Sequence, residues 1–535
     1  MGEESSERSE GESSERASGR GEGERSELSG ASGGAASSER RHASHADGTS
    51  EPNVLLVVLD SVRAKNCSAY GHHEATTPFL ESFARDRATR YEQARAPGAR
   101  SVTSHASLFS GFHVEEHGVV SAAHKLDPSV SVFSKLREDG YATGVFSEND
   151  WITAVDVGLK DGFDTVVGAR NVPFPDAVNP HEFVSNEGRG QYVTFLKEAL
   201  ADDHPVQSLA NGAATKLQSD YKRFLPSSVR ASTPAGVYVD AVLGWSERQS
   251  GPWAACVNLM DAHIPYEPAA EYDLWGGKRA RELQSSFEDQ KWAFNGGQRP
   301  WWQKKAVESL YDGAIRHCDA ELERLVSELD RRGELDDTLL VVTSDHGEGF
   351  GEPSRVRPGV RVAEHGVSPH EVVLHVPLVV RLPGQESATR VERPASLTEF
   401  PRVVAAVRDG ETPTEGFRPD GPVVATAVGL DEHLQERASA YVDDLSPWTA
   451  DSRAVFDWDE SEAVVEKSLV NRDRAVTVFC RDAQTQYADG EGDRPRERVA
   501  EAFEAVTRLD VRHEGGGVED IDEATYGRLE DLGYV

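Results

Sequence analysis

The chain has 535 residues, of which 92 are acidic and 57 basic, for a net charge of -35 at pH 7. That length can bury a large core and support a second, smaller domain, while so negative a field excludes nucleic acid as a partner. Four scattered Cys without a C-x-x-C pair exclude a disulfide framework or a zinc knuckle, and the lack of a long apolar window or apolar leader points to a cytoplasmic protein without membrane insertion.

Residues 1–50 are mainly Ser, Glu, Gly, Arg and Ala, with 11 acidic and 6 basic side chains. They offer too little apolar surface to fold and are expected to form a disordered acidic tail. The rest of the negative excess falls on the folded part, where Arg greatly outnumbers Lys. Such a composition is expected of a salt-adapted, halophilic protein, since concentrated salt screens a charged surface.

Residues 54–59, Val-Leu-Leu-Val-Val-Leu, read as a buried strand of a parallel sheet. The strand delivers Asp60 at its carboxyl end, and Arg63 comes three positions later. Thr77 before Pro78 marks a helix start, with Phe79, Leu80 and Phe83 on one face. A Pro97-Gly98 turn then leads into the hydroxyl-rich segment from Ser101, read as a short helix ended by Gly111. Its first turn offers unpaired N–H groups to a tetrahedral anion.

An amphipathic helix is expected over 129–139 and a strand over 141–146. The mixed-polarity stretch at about 165–250 reads as an insertion over the sheet that helps form a substrate pocket, with a helix at 238–247. Another buried strand, 253–259, ends in Met260-Asp-Ala-His263-Ile-Pro-Tyr266. The Trp-rich segment 291–305 reads as a loop packed on the core, and 306–332 as a long helix. Residues 338–343 repeat the design of the first strand, with Asp345 and His346 just beyond the end, and 376–381 form a further strand. This alternation argues a doubly wound, mostly parallel α/β sheet with helices on both faces over residues 51–385. From 386 to 535 the pattern weakens to short strands at 423–427 and 475–480 and a terminal helical stretch, a small C-terminal α+β subdomain.

In open α/β sheets chemistry gathers beyond the carboxyl ends of the strands. Two strands that each bring a carboxylate there, one with a neighbouring imidazole, suit a hard divalent cation.

Several segments in order resemble the sulfatase family of the alkaline phosphatase superfamily. They are Leu59-Asp-Ser-Val-Arg63, Thr77-Pro-Phe-Leu80, the segment Ser101 to Gly111, and His117-Gly118. Met260-Asp-Ala-His-Ile-Pro-Tyr266, Ser344-Asp-His-Gly-Glu348, Glu364-His-Gly366 and the final Leu532-Gly-Tyr-Val535 complete the set. The resemblance implies an alkaline-phosphatase-like fold and one divalent metal ion, calcium first, then magnesium or manganese. It also implies that Asp60, Asp345 and His346 hold the ion and that the nucleophile Ser101 reaches it. Many sulfatases carry C-x-P-x-R where this chain has Ser101-Val-Thr-Ser-His105, so the hydroxyl-nucleophile type is the one it resembles. Family sites often have a second carboxylate directly after the first, a position taken here by Ser61. Thr103 and Ser104 are alternative nucleophiles, and His105 stands where many sulfatases have Arg.

The expected activity is hydrolysis of a sulfate ester of a sugar or small molecule by in-line attack of Ser101, with Arg63 adding positive charge and His263 or His365 protonating the departing alcohol. The alternative is a phosphate mono- or diester hydrolase or a phosphoglycerol-type transferase with unmodified Ser101. A non-catalytic binding protein of the same fold is the third class, and the intact Asp60, Ser101, Asp345 and His346 set counts against it.

Overall fold

The computed structural model describes residues 51–169, 192–202, 204–209, 212, 233–287 and 289–515, with 517, 521, 525–527 and 529. The expected acidic tail, most of the expected insertion and the Leu532 to Val535 motif lie outside the described residues.

Along the chain come β1 (Asn53–Leu59), β2 (Thr89–Arg95), β3 (His124–Leu126), β4 (Ala142–Ser147) and β5 (Thr165–Val167). Next are β6 (Trp253–Leu259), β7 (Thr338–Thr343), β8 (Phe350–Pro353), β9 (Arg361–Ala363), β10 (Leu378–Arg381) and β11 (Thr389–Ser396). The main sheet has the order β11-β2-β10-β7-β1-β6-β4-β5. Its pairs are parallel except the two made by β10. Side chains alternate between the faces of a strand, and β1 shows why this one must lie at the centre. Val54, Leu56 and Val58 enter one core, Leu55, Val57 and Leu59 the other, and all six are buried. Burying each such side chain contributes about 1.5–3 kcal/mol, so an apolar run without alternation requires cover on both faces. Helices Ser101–Ser110, Val132–Glu138 and Phe400–Arg408 supply residues to one core. Helices Pro78–Arg87, Ala235–Ser246 and Trp301–Arg332 supply the other.

Local signals place most of these elements. Thr77 precedes Pro78 at the first helical turn, and Gly111 takes the left-handed conformation (φ 83°) that ends the helix of Ser101. Two expectations are corrected. The stretch 129–139 is split by Ser131, whose hydroxyl accepts from the Phe133 N–H and caps a helix starting at Val132. The long helix begins at Trp301 inside the expected loop, because its first turns are anchored by side chains that do not read as apolar. Lys304 is fully buried with its ammonium 5.5 Å from the Phe350 ring and 3.5 Å from Glu364, and Trp301 packs on Phe294.

Past the main sheet, β12 (Val423–Ala427), β13 (Ser452–Asp459), β14 (Val464–Asn471), β15 (Arg474–Cys480) and β16 (Gln486–Glu491) form an antiparallel sheet, covered on one face by helix Asp493–Glu504. Its other face packs on Val372, Val373 and Leu374. The strand β17 (Arg512–Glu514) pairs with β3. Because β11 pairs with β2 and helix Phe400–Arg408 joins the main core, the larger layer extends to Arg408, beyond residue 385. All four Cys are free and buried, and no described helix is long and apolar enough to cross a membrane.

Candidate active site

The central strands β7, β1, β6 and β4 end along one edge of the sheet, and each contributes to a buried polar cluster there. Asp60 comes directly after β1, its N–H donating to the Leu259 carbonyl (2.9 Å), and Asp345 and His346 lie just past β7. All three are fully buried, and one ligand atom from each lies within 4.8 Å of the others. Ser61 joins the two carboxylates. Its N–H donates to Asp345 Oδ1 (3.2 Å) and its hydroxyl to Asp60 Oδ1 (2.9 Å). It does so from a left-handed backbone (φ 62°), a costly conformation for a serine, held by Tyr311, whose hydroxyl donates to the Ser61 carbonyl (2.7 Å).

Two amides orient Asp60. Asn149 after β4 and Asn258 within β6 both donate to Asp60 Oδ2, at 2.9 and 3.1 Å. Asp345 Oδ2 is buried without a hydrogen-bond partner, although imidazole nitrogens of His346 and His105 lie 3.3 and 3.6 Å away. Burial alone would raise the Asp345 carboxyl, but His346, His105, the Ser101 hydroxyl and the Ser61 N–H hold it below the usual carboxylate range. Neither carboxylate is paired with a Lys or Arg among the described residues. Two buried acids beside an imidazole, with no described Lys or Arg to pair them, fit a divalent cation bound by Asp60, Asp345 and His346.

Ser101 opens its helix beside this cluster, with its Oγ 3.2 Å from His346 Nε2. The His346 Nδ1–H is placed to donate to the Gly347 carbonyl (3.1 Å), which leaves Nε2 as the lone-pair nitrogen facing Ser101 and the carboxylates. Ser104 anchors the next turn by donating to the Asp345 carbonyl (2.5 Å), and His105 Nδ1–H donates to the Ser101 carbonyl (2.9 Å). Ahead of the helix, a Cβ on Gly98 would lie 2.3 Å from Thr103 Oγ1, so the turn approaches the helix as only glycine allows. Arg100 donates to the carbonyls of Gly366 (3.0 Å) and Gly429 (2.8 Å), fastening the helix start to the loop of His365.

His365 stacks on His346 (ring centroids 4.2 Å) and meets His263 edge-on (5.1 Å), so the structure brings both histidines to the cluster. Burial, with His346, His263 and Lys291 nearby, keeps His365 well below the ordinary imidazole range, and its Nδ1 lies 3.3 Å from Glu348. Arg63 is placed differently from expectation. Its guanidinium is fully buried, donating to Glu308 (2.5 Å), Glu352 (2.7 Å), Asn66 (2.5 Å) and the Glu348 carbonyl (2.9 Å). Its donors are spent on that ion-pair hub, none of them on Asp60, Ser101, Asp345 or His346.

Sequence reading noted Ser61 only as a missing carboxylate and passed over Asn149, Asn258 and Tyr311. One signal was present: Asn258 is the only polar letter in the apolar run of β6, and a buried amide there needs partners. Asn149 lies two residues past β4, at the same kind of strand end as Asp60.

The sulfatase family model matches residues 52–407. An arylsulfatase of Clostridium perfringens is 22% identical over 354 residues, covering 62% of this chain and 69% of that protein. Among solved structures, the phosphonate monoester hydrolase of Agrobacterium radiobacter has a TM-score of 0.51 at 19% identity, covering 90% of this chain and 94% of that one. A protein of the alkaline phosphatase superfamily from Vibrio parahaemolyticus has a TM-score of 0.50 at 14% identity, covering 85% and 86%. At these identities the two structures attest the fold.

Proposed function

The chain belongs to the sulfatase family, and from that premise we propose that it is a metal-dependent hydrolase of sulfate esters whose nucleophile is the unmodified hydroxyl of Ser101. The observation that carries this reading is Ser101 Oγ at 3.2 Å from His346, at the start of a helix and beside two buried carboxylates that no described Lys or Arg pairs. When bound by Asp60, Asp345 and His346, a divalent ion supplies a lowered hydroxyl pKa and a counter-charge for the transferred group.

The chain's own residues do the rest. The Ser101 hydroxyl gives up its proton to solvent water, Oγ attacks sulfur in line and the bond to the alcohol oxygen breaks, giving a sulfated Ser101 and the free alcohol. His263, with His365 packed against it, donates the proton the departing oxygen needs. The N–H groups opening the helix hold the peripheral oxygens. Water then attacks the sulfated serine, releasing sulfate and restoring the hydroxyl. Ser61, Asn149 and Asn258 keep the Asp60 oxygens fixed throughout.

A second reading rests on a specific feature. Arg63 is consumed by Glu308 and Glu352, and Arg100 by carbonyls, so few side-chain cations remain for a doubly charged group. The centre therefore suits a singly charged one: a sulfate monoester, a phosphodiester or a phosphonate monoester. The phosphonate monoester hydrolase with this fold and the unmodified hydroxyl keep the latter two in view.

The deciding experiment compares turnover of matched aryl sulfate, phosphate monoester, phosphodiester and phosphonate monoester, with calcium, magnesium or manganese, in low and molar salt. Sulfate preference that disappears with chelator and with Ser101→Ala is the expected result. Preference for the phosphodiester would move the protein to the second reading, and activity that survives chelation would overturn both.

A further inference from the structure

A buried arginine that the chemistry above does not use stands in the connection between β8 and β9. Arg357 is only 3% exposed, yet it has no ion pair among the described residues. Three other buried arginines are matched by carboxylates, Arg63 with Glu308 and Glu352, Arg95 with Glu371 and Arg381 with Asp336, and a fourth, Arg100, spends its guanidinium on backbone carbonyls. Arg357 instead donates from Nη2 to the Ser452 hydroxyl (3.2 Å), while its Nε is buried without a partner. The other charge acting on it is a cation, Arg472, and burial pushes its guanidinium down to about 10. An uncompensated buried guanidinium is costly and calls for an anion.

Arg357 lines a cavity with Lys291, Ser354, Glu364, His365 and Ser368. Its one carboxylate, Glu364, lies 3.5 Å from Lys304 and is thereby offset. The cavity is small, which favours a single compact anion over a sulfate, phosphate or carboxylate. We propose that this cavity, between the β8–β9 connection, the loop of His365 and Lys291, is a halide site in which Arg357 binds one chloride ion. The occupant supplies the negative charge that Arg63, Arg95 and Arg381 receive from side chains, and it does so in a cavity that His365 also lines.

The test uses the full chain. Chloride-35 NMR should show line broadening by the wild-type protein that bromide competes away and that Arg357→Gln loses. In parallel, replacing gluconate with chloride at constant ionic strength should raise Tm by about 2 °C in wild type and by nothing in Arg357→Gln. Should Arg357→Gln fail to fold, diffraction from wild-type crystals soaked in bromide decides alone, with an anomalous peak expected against the guanidinium. Absence of that peak, a water in its place, or an equal chloride response in a folded Arg357→Gln would overturn the proposal.

Discussion

Ser101 Oγ and His346 Nε2 stand 3.2 Å apart, although the residues are 245 positions apart in the chain. The helix opening at Ser101 and the strand end of β7 are thus fixed against each other before any substrate arrives, helped by the Ser104 bond to the Asp345 carbonyl (2.5 Å). Replacing Ser101 by Ala removes one oxygen from a packed, fully buried position. Turnover should fall by about 10³-fold or more, with little change in stability. The check is single-turnover kinetics beside thermal unfolding. Near-normal turnover in a folded, metal-loaded Ser101→Ala would move the nucleophile to Thr103 or Ser104.

Asn258 and Asn149 share one oxygen of Asp60. Asn258→Ala deletes one of the two donors and the bond to Ser147. Residues that orient a ligand in this way typically carry about 10–100-fold in metal affinity. Calorimetric titration of the chelated protein with calcium or manganese should show a loss of that size. An unchanged affinity would mean that Asp60 needs no orienting amide.

How much of this was legible in the chain depends on the range of the interaction. The β1 and β7 ends declare themselves because a run of consecutive apolar residues at this length reads as a doubly covered strand, which sets Asp60 and Asp345 at the sheet edge. The helix of Ser101 is likewise local, bounded by Gly98 and Gly111. Arg63 was misread because its partners, Glu308 and Glu352, come 245 and 289 residues later. The start of the long helix was misplaced for the same reason, since Lys304 reads as a solvent residue until Phe350 and Glu364 close over it. Ser61 bridges two carboxylates only when β1 and β7 are adjacent.

Arg63 also governs the response to acid. Burial alone would raise the Glu352 carboxyl, but the Arg63 guanidinium holds it down to about 2, from an ordinary value near 4.5. A depressed carboxylate stabilises the fold above the unfolded-state pKa, and that contribution is lost as pH falls through the folded value. Stability should therefore drop between about pH 4.5 and about pH 2. Arg63→Met leaves Glu352 without its cation, while Glu308 keeps Lys305, and should cost about 3 kcal/mol at pH 7. Its loss between pH 4.5 and 3 should be shallower than in wild type. Urea unfolding across that range distinguishes the two, and parallel curves would remove Glu352 from the account.

The C-terminal sheet is held to the site through a second buried ion cluster, and its charge balance orders the effects of mutation. Lys467 on β14 donates to Glu371 Oε1 (2.7 Å) and to the Pro369 carbonyl (2.5 Å), and Arg95 at the end of β2 lies 2.8 Å from Glu371 Oε2. Both cations also face the Phe456 ring, each at 5.0 Å. Although burial opposes it, Arg95 and Lys467 hold the Glu371 carboxyl far below the usual carboxylate range. One acid thus serves two bases. Lys467→Met leaves a matched Arg95–Glu371 pair and should cost about 1–2 kcal/mol for the lost hydrogen bonds. Glu371→Gln leaves two unmatched cations and should cost about 3–5 kcal/mol. The damage should also reach the chemistry, because Val373, two residues from Glu371, accepts the Gly347 N–H (2.7 Å) directly behind His346. Urea unfolding and metal affinity measured on both variants should rank Glu371→Gln as the more damaged in each, and the reverse order would show that Lys467, not the shared carboxylate, holds the sheet in place.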